Sequence, residues 1–168
     1  AADYSDLFWR IKGAREFAQW RVKQLDDYAK QADKSQEKAE ALWQEALTKF
    51  DEMVALSATD DKTLVVTLAS PTPYFLDLCA FSTLAPVHRN SVEQFVTINA
   101  DTGMRQQDVL WTEPQHMITN GPYKLAQWAK GEPTLIVANP HYWNRAAMRN
   151  TSIREKIIAN PASMMLEY

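Results

Sequence analysis

The feature that most constrains this chain is a change of hydrophobic period at Val54. Upstream, residues 29–50 contain no Gly or Pro and one β-branched residue, Thr48, so propensity favours a helix throughout. Ala39, Leu42, Trp43, Ala46, Leu47 and Phe50 recur at three- and four-residue steps as an apolar stripe, with Glu37, Lys38, Glu40, Glu45 and Lys49 mostly away from it. Downstream, Val54, Leu56 and Ala58 alternate with smaller or polar neighbours. Thr59-Asp60-Asp61-Lys62 then supplies turn chemistry before the β-branched run Thr63-Leu64-Val65-Val66-Thr67-Leu68. An amphipathic helix followed by a hairpin is the economical reading.

A second strand-like pair, Tyr123-Lys124-Leu125-Ala126-Gln127-Trp128 and Thr134-Leu135-Ile136-Val137-Ala138, is joined through a connection with Gly131 placed for a positive φ. Residues 151–158 read as another strand carrying Ile153 and Ile157 on one face. The expected class is therefore α/β, as an α+β mixed sheet built from strands near 54–68, 123–138 and 151–158. Residues 4–28, with Phe8, Trp9, Phe17, Trp20 and Tyr28, read as short helices. Pro71 and Pro73 end the first hairpin and favour a short helix from Tyr74. Asn90 or Ser91 is the expected cap of a helix over residues 92–95, and residues 96–118 read as an irregular loop. The expected organisation is a helical segment over 1–53, a sheet-containing core over 54–158 and the start of a truncated helix over 159–168.

With 168 residues, 46% hydrophobic and 23% charged, the composition excludes disorder and a disulfide-dense mini-scaffold. The net charge of −3 offers no basic surface for nucleic acid. No apolar run approaches the ~20 residues of a spanning helix. Cys79, set among Phe75, Leu76, Leu78 and Phe81, reads as a buried small hydrophobe. The chain opens Ala1-Ala2-Asp3 without an initiator Met or signal pattern, and both ends read as cut from something longer.

The usual catalytic constellations fail in turn. His88, His116 and His141 show neither i, i+4 spacing nor a nearby Cys, so no metal site is expected. With only Gly13, Gly103, Gly121 and Gly131, no phosphate-cradling loop exists and no cofactor is expected. Asp60-Asp61 reads as a turn capping its own backbone. What stands out is six Trp, six Tyr and six Phe, several beside Pro, Asn or Gly. Such aromatics either fill a core or line a groove for an organic ligand, and composition does not choose.

The order of motifs does. Residues 58–75, ending Ser70-Pro71-Thr72-Pro73-Tyr74-Phe75, resemble the hairpin and proline-flanked Tyr-Phe of the oligopeptide-binding proteins of ABC importers, the extracellular solute-binding proteins of family 5. Leu84-Ala85-Pro86-Val87-His88, Trp111-Thr112-Glu113-Pro114, Thr119-Asn120-Gly121-Pro122-Tyr123 and Asn139-Pro140-His141-Tyr142-Trp143-Asn144 resemble the next landmarks, in family order. Each is loose alone, and the ordered set over residues 54–158 is specific. Residues 29–50 and 96–110 depart from the compact members and inherit no role.

The resemblance implies part of one lobe of a type II periplasmic-binding-protein fold. The receptor it implies is periplasmic or lipid-anchored, is not an enzyme, closes on a peptide and hands it to permease subunits. Membrane contact would run through the permease or an anchor outside this chain. It also implies ligand contact by Asn120 and Gly121, in the motif that reaches the cleft, and by Tyr142, at the aromatic that borders it. Asn carries both donor and acceptor and suits a peptide backbone of any sequence, while Gly admits close main-chain approach. The alternatives stay open: Asn120-Gly121 as a turn before a strand, and Tyr142 as core. Pro140, Trp143 and Trp128 are assigned to packing. A half-cleft alone is expected to bind peptide weakly and to self-associate. The other functional class is a standalone interaction module with an aromatic binding surface.

Overall fold

The computed structural model describes residues 4–158. Helix and sheet are both present, as the change of period at Val54 requires. The chain divides into two compact units, Ala1–Val87 with Val96–Gln106, and His88–Phe95 with Gln107–Tyr168. Residue 53 is not a boundary of either, and the segment 159–168 lies outside the described residues.

The first unit is built on two helices. A 3-10 turn, Ser5–Arg10, precedes α1, Ala14–Ala29. The second helix, α2, spans Gln36–Met53. The continuous helix expected over residues 29–50 is therefore broken between Ala29 and Gln36, and the residues before it form one long helix where short ones were expected. The cause is local polar competition. Ser35 is extended, its Oγ accepts from Lys38 N at 3.2 Å as an N-cap, and Lys38 Nζ reaches back to the carboxylate and carbonyl of Asp33.

Tyr28, Ala39 and Ala46 are buried to 1%, 0% and 1% exposure, so the small residues of the α2 stripe admit close helix packing. The Tyr28 hydroxyl donates to the Ala100 carbonyl at 2.7 Å, and Arg21 donates to the Gly103 carbonyl at 3.1 Å. These bonds hold the turn between β3, Val96–Ile98, and β4, Arg105–Gln107, which pair as a two-stranded sheet. That hairpin, followed by the 3-10 turn Val109–Thr112, replaces the irregular loop expected over residues 96–118. Three-residue strands show no readable alternation. The turn is instead set by Asn99, whose Oδ1 accepts from the N–H groups of Asp101 and Thr102 at 3.0 Å each.

β1, Leu56–Asp60, pairs antiparallel with β2, Thr63–Val66, in the register Leu56↔Val66 and Ala58↔Leu64. The Asp60 carboxylate accepts from Lys62 N at 2.8 Å, as its turn role requires. Lys12 N–H donates to the Thr67 carbonyl and Ala55 N–H to the Lys12 carbonyl, tying the hairpin base to the entry of α1. Beyond the prolines, α3 spans Phe75–Cys79. Cys79 is exposed, contrary to the expectation of burial. This helix is short, and Leu76 within it is itself 81% exposed.

In the second unit α4, Arg89–Glu93, begins ahead of the expected cap. Ser91 lies inside it, buried, with Oγ 2.8 Å from His88 Nδ1, so its hydroxyl is engaged away from any cap. β5, Tyr123–Gln127, β6, Thr134–Ala138, and β7, Ser152–Glu155, form an antiparallel sheet in that order. Leu125, Ile136 and Ile153 are cross-strand partners in one apolar row. Gly131 takes φ 85° in the connection, as expected. Ile157 lies past the end of β7 and is 91% exposed, so only Ile153 serves the expected face. The three sheets are separate, and the strands near 56–66 do not join those at 123–155.

Candidate functional site

β6 runs out at Ala138, and the next residue changes the direction of everything around it. Asn139 is 2% exposed. Its N–H donates to the Pro122 carbonyl at 2.8 Å, extending the contact with the entry of β5 by one residue. Its side chain then bonds on both sides. Nδ2 donates to the carbonyls of Gly121 at 2.9 Å and Thr119 at 3.2 Å, while Oδ1 accepts from His141 N at 3.1 Å. The Oδ1 bond is the Asx turn that the Asn-Pro dipeptide favours. The Nδ2 bonds clamp the loop ahead of β5 at two carbonyls two residues apart.

Asn120 sits between those clamped carbonyls. Its side chain is exposed and makes no hydrogen bond to the described residues. Gly121 is half-buried, and its N–H donates to Thr119 Oγ1 at 3.0 Å. Its φ is not in the left-handed region, so glycine is not demanded there by backbone conformation. A Cβ at Gly121 would stand 3.2 Å from Thr119 Oγ1, pressing on the hydroxyl that holds its own N–H. The loop thus offers an unengaged carboxamide held at a fixed backbone position, with one donor and one acceptor face for a ligand.

The second part of the site follows Asn139 directly. Tyr142 N–H donates to the Asn139 carbonyl at 3.2 Å, and the Tyr142 carbonyl accepts from Arg145 N at 3.1 Å, leading into the 3-10 turn Arg145–Ala147. The Tyr142 ring is half-buried and 5.7 Å from the Trp143 ring, tilted by 55°. Trp143 is 84% exposed and Trp128 52%, and Pro140 is exposed too, which corrects the packing role expected for all three. All sit in turns or at a strand end, where side chains project from backbone that is itself held by short-range bonds.

The residue that sequence reasoning missed is Asn139. In the sequence it stands only as the first residue of the landmark Asn139-Pro140-His141-Tyr142-Trp143-Asn144, although Asn before Pro is a recognisable turn signal. Its bonds to Thr119 and Gly121 span 20 and 18 residues, a distance at which no local pattern operates. Asn139 connects the segment of Asn120 and Gly121 to that of Tyr142. No group of three or more His, Cys, Asp or Glu among the described residues is arranged to hold a metal ion. No helix among them is long and apolar enough to cross a membrane.

Residues 16–168 match the sequence profile of the bacterial extracellular solute-binding proteins, family 5 Middle. The periplasmic oligopeptide-binding protein OppA of Salmonella typhimurium is 37% identical over 93 residues, 55% of this chain and 15% of that protein. The oligopeptide-binding protein OppA of Bacillus subtilis is 31% identical over 107 residues, 64% of this chain and 18% of that protein. The chain thus spans less than a fifth of the length of these relatives. Among solved structures, a periplasmic oligopeptide-binding protein of Borrelia burgdorferi superposes with a TM-score of 0.60 at 28% identity, covering 75% of this chain and 24% of that one. Listeria monocytogenes OppA, solved with peptide, gives 0.67 at 22% identity over 100% of this chain and 26% of that one, a likeness of fold. By profile, relatives and fold together, this chain belongs to the bacterial extracellular solute-binding proteins of family 5 and corresponds to their middle region.

Proposed function

We propose that this chain is a segment of a receptor that captures oligopeptides or dipeptides outside the cytoplasm and delivers them to an ABC importer, by binding and without catalysis. Family membership over residues 16–168 carries this reading, together with the oligopeptide-binding names of the relatives from Salmonella typhimurium and Bacillus subtilis. Asn120 and Gly121 meet the peptide main chain, and Tyr142 borders it. The Asn139 clamp supports that assignment, because it holds the backbone on both sides of an exposed carboxamide and so lowers the entropy lost when a ligand binds. The receptor is periplasmic or lipid-anchored, its protein partners are permease subunits, and the isolated segment self-associates.

The test is calorimetry of the full receptor that carries this segment against a mixed di- to pentapeptide pool. Binding is expected, and Asn120→Ala should weaken it by about 1–3 kcal/mol, the cost of leaving a buried peptide group unpaired. No binding of any peptide overturns the proposed ligand class. Unchanged affinity with an unchanged melting temperature returns Asn120 to a turn-forming role.

A further inference from the structure

Two stretches that inherit no role from the family, residues 29–50 and 96–110, meet in the first unit. The contact is made by the tip of the β3–β4 hairpin. Tyr28 Oη donates to the Ala100 carbonyl at 2.7 Å and Arg21 Nη2 to the Gly103 carbonyl at 3.1 Å, so both bonds grip main chain. Gly103 is buried at φ 66°, and a Cβ there would stand 2.6 Å from Leu42 Cδ2 and 3.1 Å from the Tyr28 ring. Glycine alone suits both that conformation and that space. The guanidinium carbons of Arg21, on α1, and Arg105, on β4, stand 5.6 and 5.3 Å from the centroid of the Trp43 ring.

The hairpin is closed on itself. Gly103 N–H donates to the Asn99 carbonyl at 2.8 Å and Asn99 N–H to the Met104 carbonyl at 2.9 Å, while just past the strands Asp108 N–H donates to the Phe95 carbonyl at 2.9 Å. Behind the tip the hold on the helices is slight. Arg105, Gln106 and Gln107 are exposed, and a cleft of about 480 Å³ opens between β3 and Gln36, Glu40 and Gln44 of α2. Two three-residue strands gain little stability alone, so the place of the hairpin depends on its tip.

We infer that the β3–β4 hairpin is a releasable strap, seated on α1 and α2 by its tip, and that it lifts as one piece while the helix pair stays folded. Residues 29–50 and 96–110 then share one role, the first supplying part of the seat and the second the strap. Lifting breaks two hydrogen bonds, one glycine contact and one ring contact. Unfolding the helices must also expose the buried Ala39 and Ala46 of the α2 stripe, so the two openings differ in how much surface they uncover.

Trypsin reads the two openings separately, because Arg105 lies in the strap and Lys23 in α1. The full receptor that carries this segment is digested over a range of urea, and the cut after each of these residues is followed by mass. When opening is faster than cutting, the dependence of each rate on urea reports the surface uncovered by the opening that permits the cut. The slope for Arg105 is expected to be well below that for Lys23. Equal slopes overturn the inference, because strap and helices then open only together. Cutting after Arg105 as fast as in the denatured chain overturns it too, because the strap is then never seated. Gly103→Ala puts a Cβ against Leu42 and Tyr28, so it should speed the cut after Arg105 by about 10-fold or more while Lys23 keeps its steep slope. An unchanged rate at Arg105 shows that the tip is not the fastening, and loss of the steep slope at Lys23 shows that the strap does not release by itself; either result overturns the inference. No step uses peptide, so these outcomes are independent of the proposed function.

Discussion

Among the described residues, the buried side chains are Ile11, Tyr28, Ala39, Ala46 and Val54 in the unit built on α1 and α2, and Ser91 and Asn139 in the unit that carries the β5–β6–β7 sheet. Apolar burial is non-directional and rewards any arrangement that excludes water. A buried carboxamide rewards one geometry and penalises the rest, because an unpaired polar group inside costs more than a paired one gains. The first unit is therefore held by area and the second, around its site loop, by angles. Exposed apolar side chains do not separate the two, since Trp143, Val109 and Ile118 stand at 84%, 71% and 61% exposure in the second unit and Leu76 and Leu64 at 81% and 68% in the first. A loop that must present an exposed side chain in a fixed place is better served by directional bonds than by a greasy contact.

The harshest test of this contrast is Tyr28→Ala. Loss of a ring at 1% exposure between two helices should cost about 3–5 kcal/mol in urea denaturation of the chain. Tyr28→Phe should cost only about 1–2 kcal/mol, through the lost bond to the Ala100 carbonyl. If the two variants cost the same, area is not what holds the first unit.

Asn139→Ala comes next, at about 2–3 kcal/mol, because it leaves the carbonyls of Thr119 and Gly121 and the N–H of His141 without their partner. Hydrogen exchange should rise at residues 119–123 and 139–145. A cost below about 0.5 kcal/mol, the level of an ordinary surface substitution, would break the comparison.

The smallest effect concerns a directional bond placed in water. Asp60 is held below the usual carboxylate range by the Lys62 N–H first and then by Thr63. Its folded pKa is depressed, so its contribution is complete above the unfolded pKa and fades as pH falls through the folded one. Asp60→Asn should therefore flatten the acid limb of a stability–pH profile slightly and leave neutral stability nearly unchanged. A large neutral-pH loss would mean that exposed turns carry as much as the buried clamp.

What the sequence disclosed divides along the same line. The α2 stripe and both longer hairpins were legible because their periods repeat within a few residues, and the family resemblance rests on landmarks of that kind. The break at residues 30–35 was hidden because helix propensity there is unexceptional, and only the Ser35 cap and its bond from Lys38 reveal it. Aromatic character says how much surface Trp143 has to bury and not whether it is buried, so composition points to packing where the side chain is 84% exposed. In the candidate site, Asn120, Gly121 and Tyr142 are expectations that the resemblance supplies, while Asn139, which connects their segments, depends on partners 18 and 20 residues away.

Gly13, the N-cap of α1, has its ideal Cβ position 1.7 Å from the carbonyl oxygen of Met53, the last residue of α2. At the other end, the Tyr28 hydroxyl donates to the Ser35 carbonyl at 3.3 Å, one residue before α2 starts. The two helices are thus pinned together at both extremities, 16 residues against 18. One residue inserted into either would advance its end by about 1.5 Å and turn it by about 100°, bringing a different side chain to face the pin. A change of length within α1 or α2 alone therefore pulls one of the two pins out of place, whereas residues 30–34, which lie between the pins, absorb an added residue without moving either helix end.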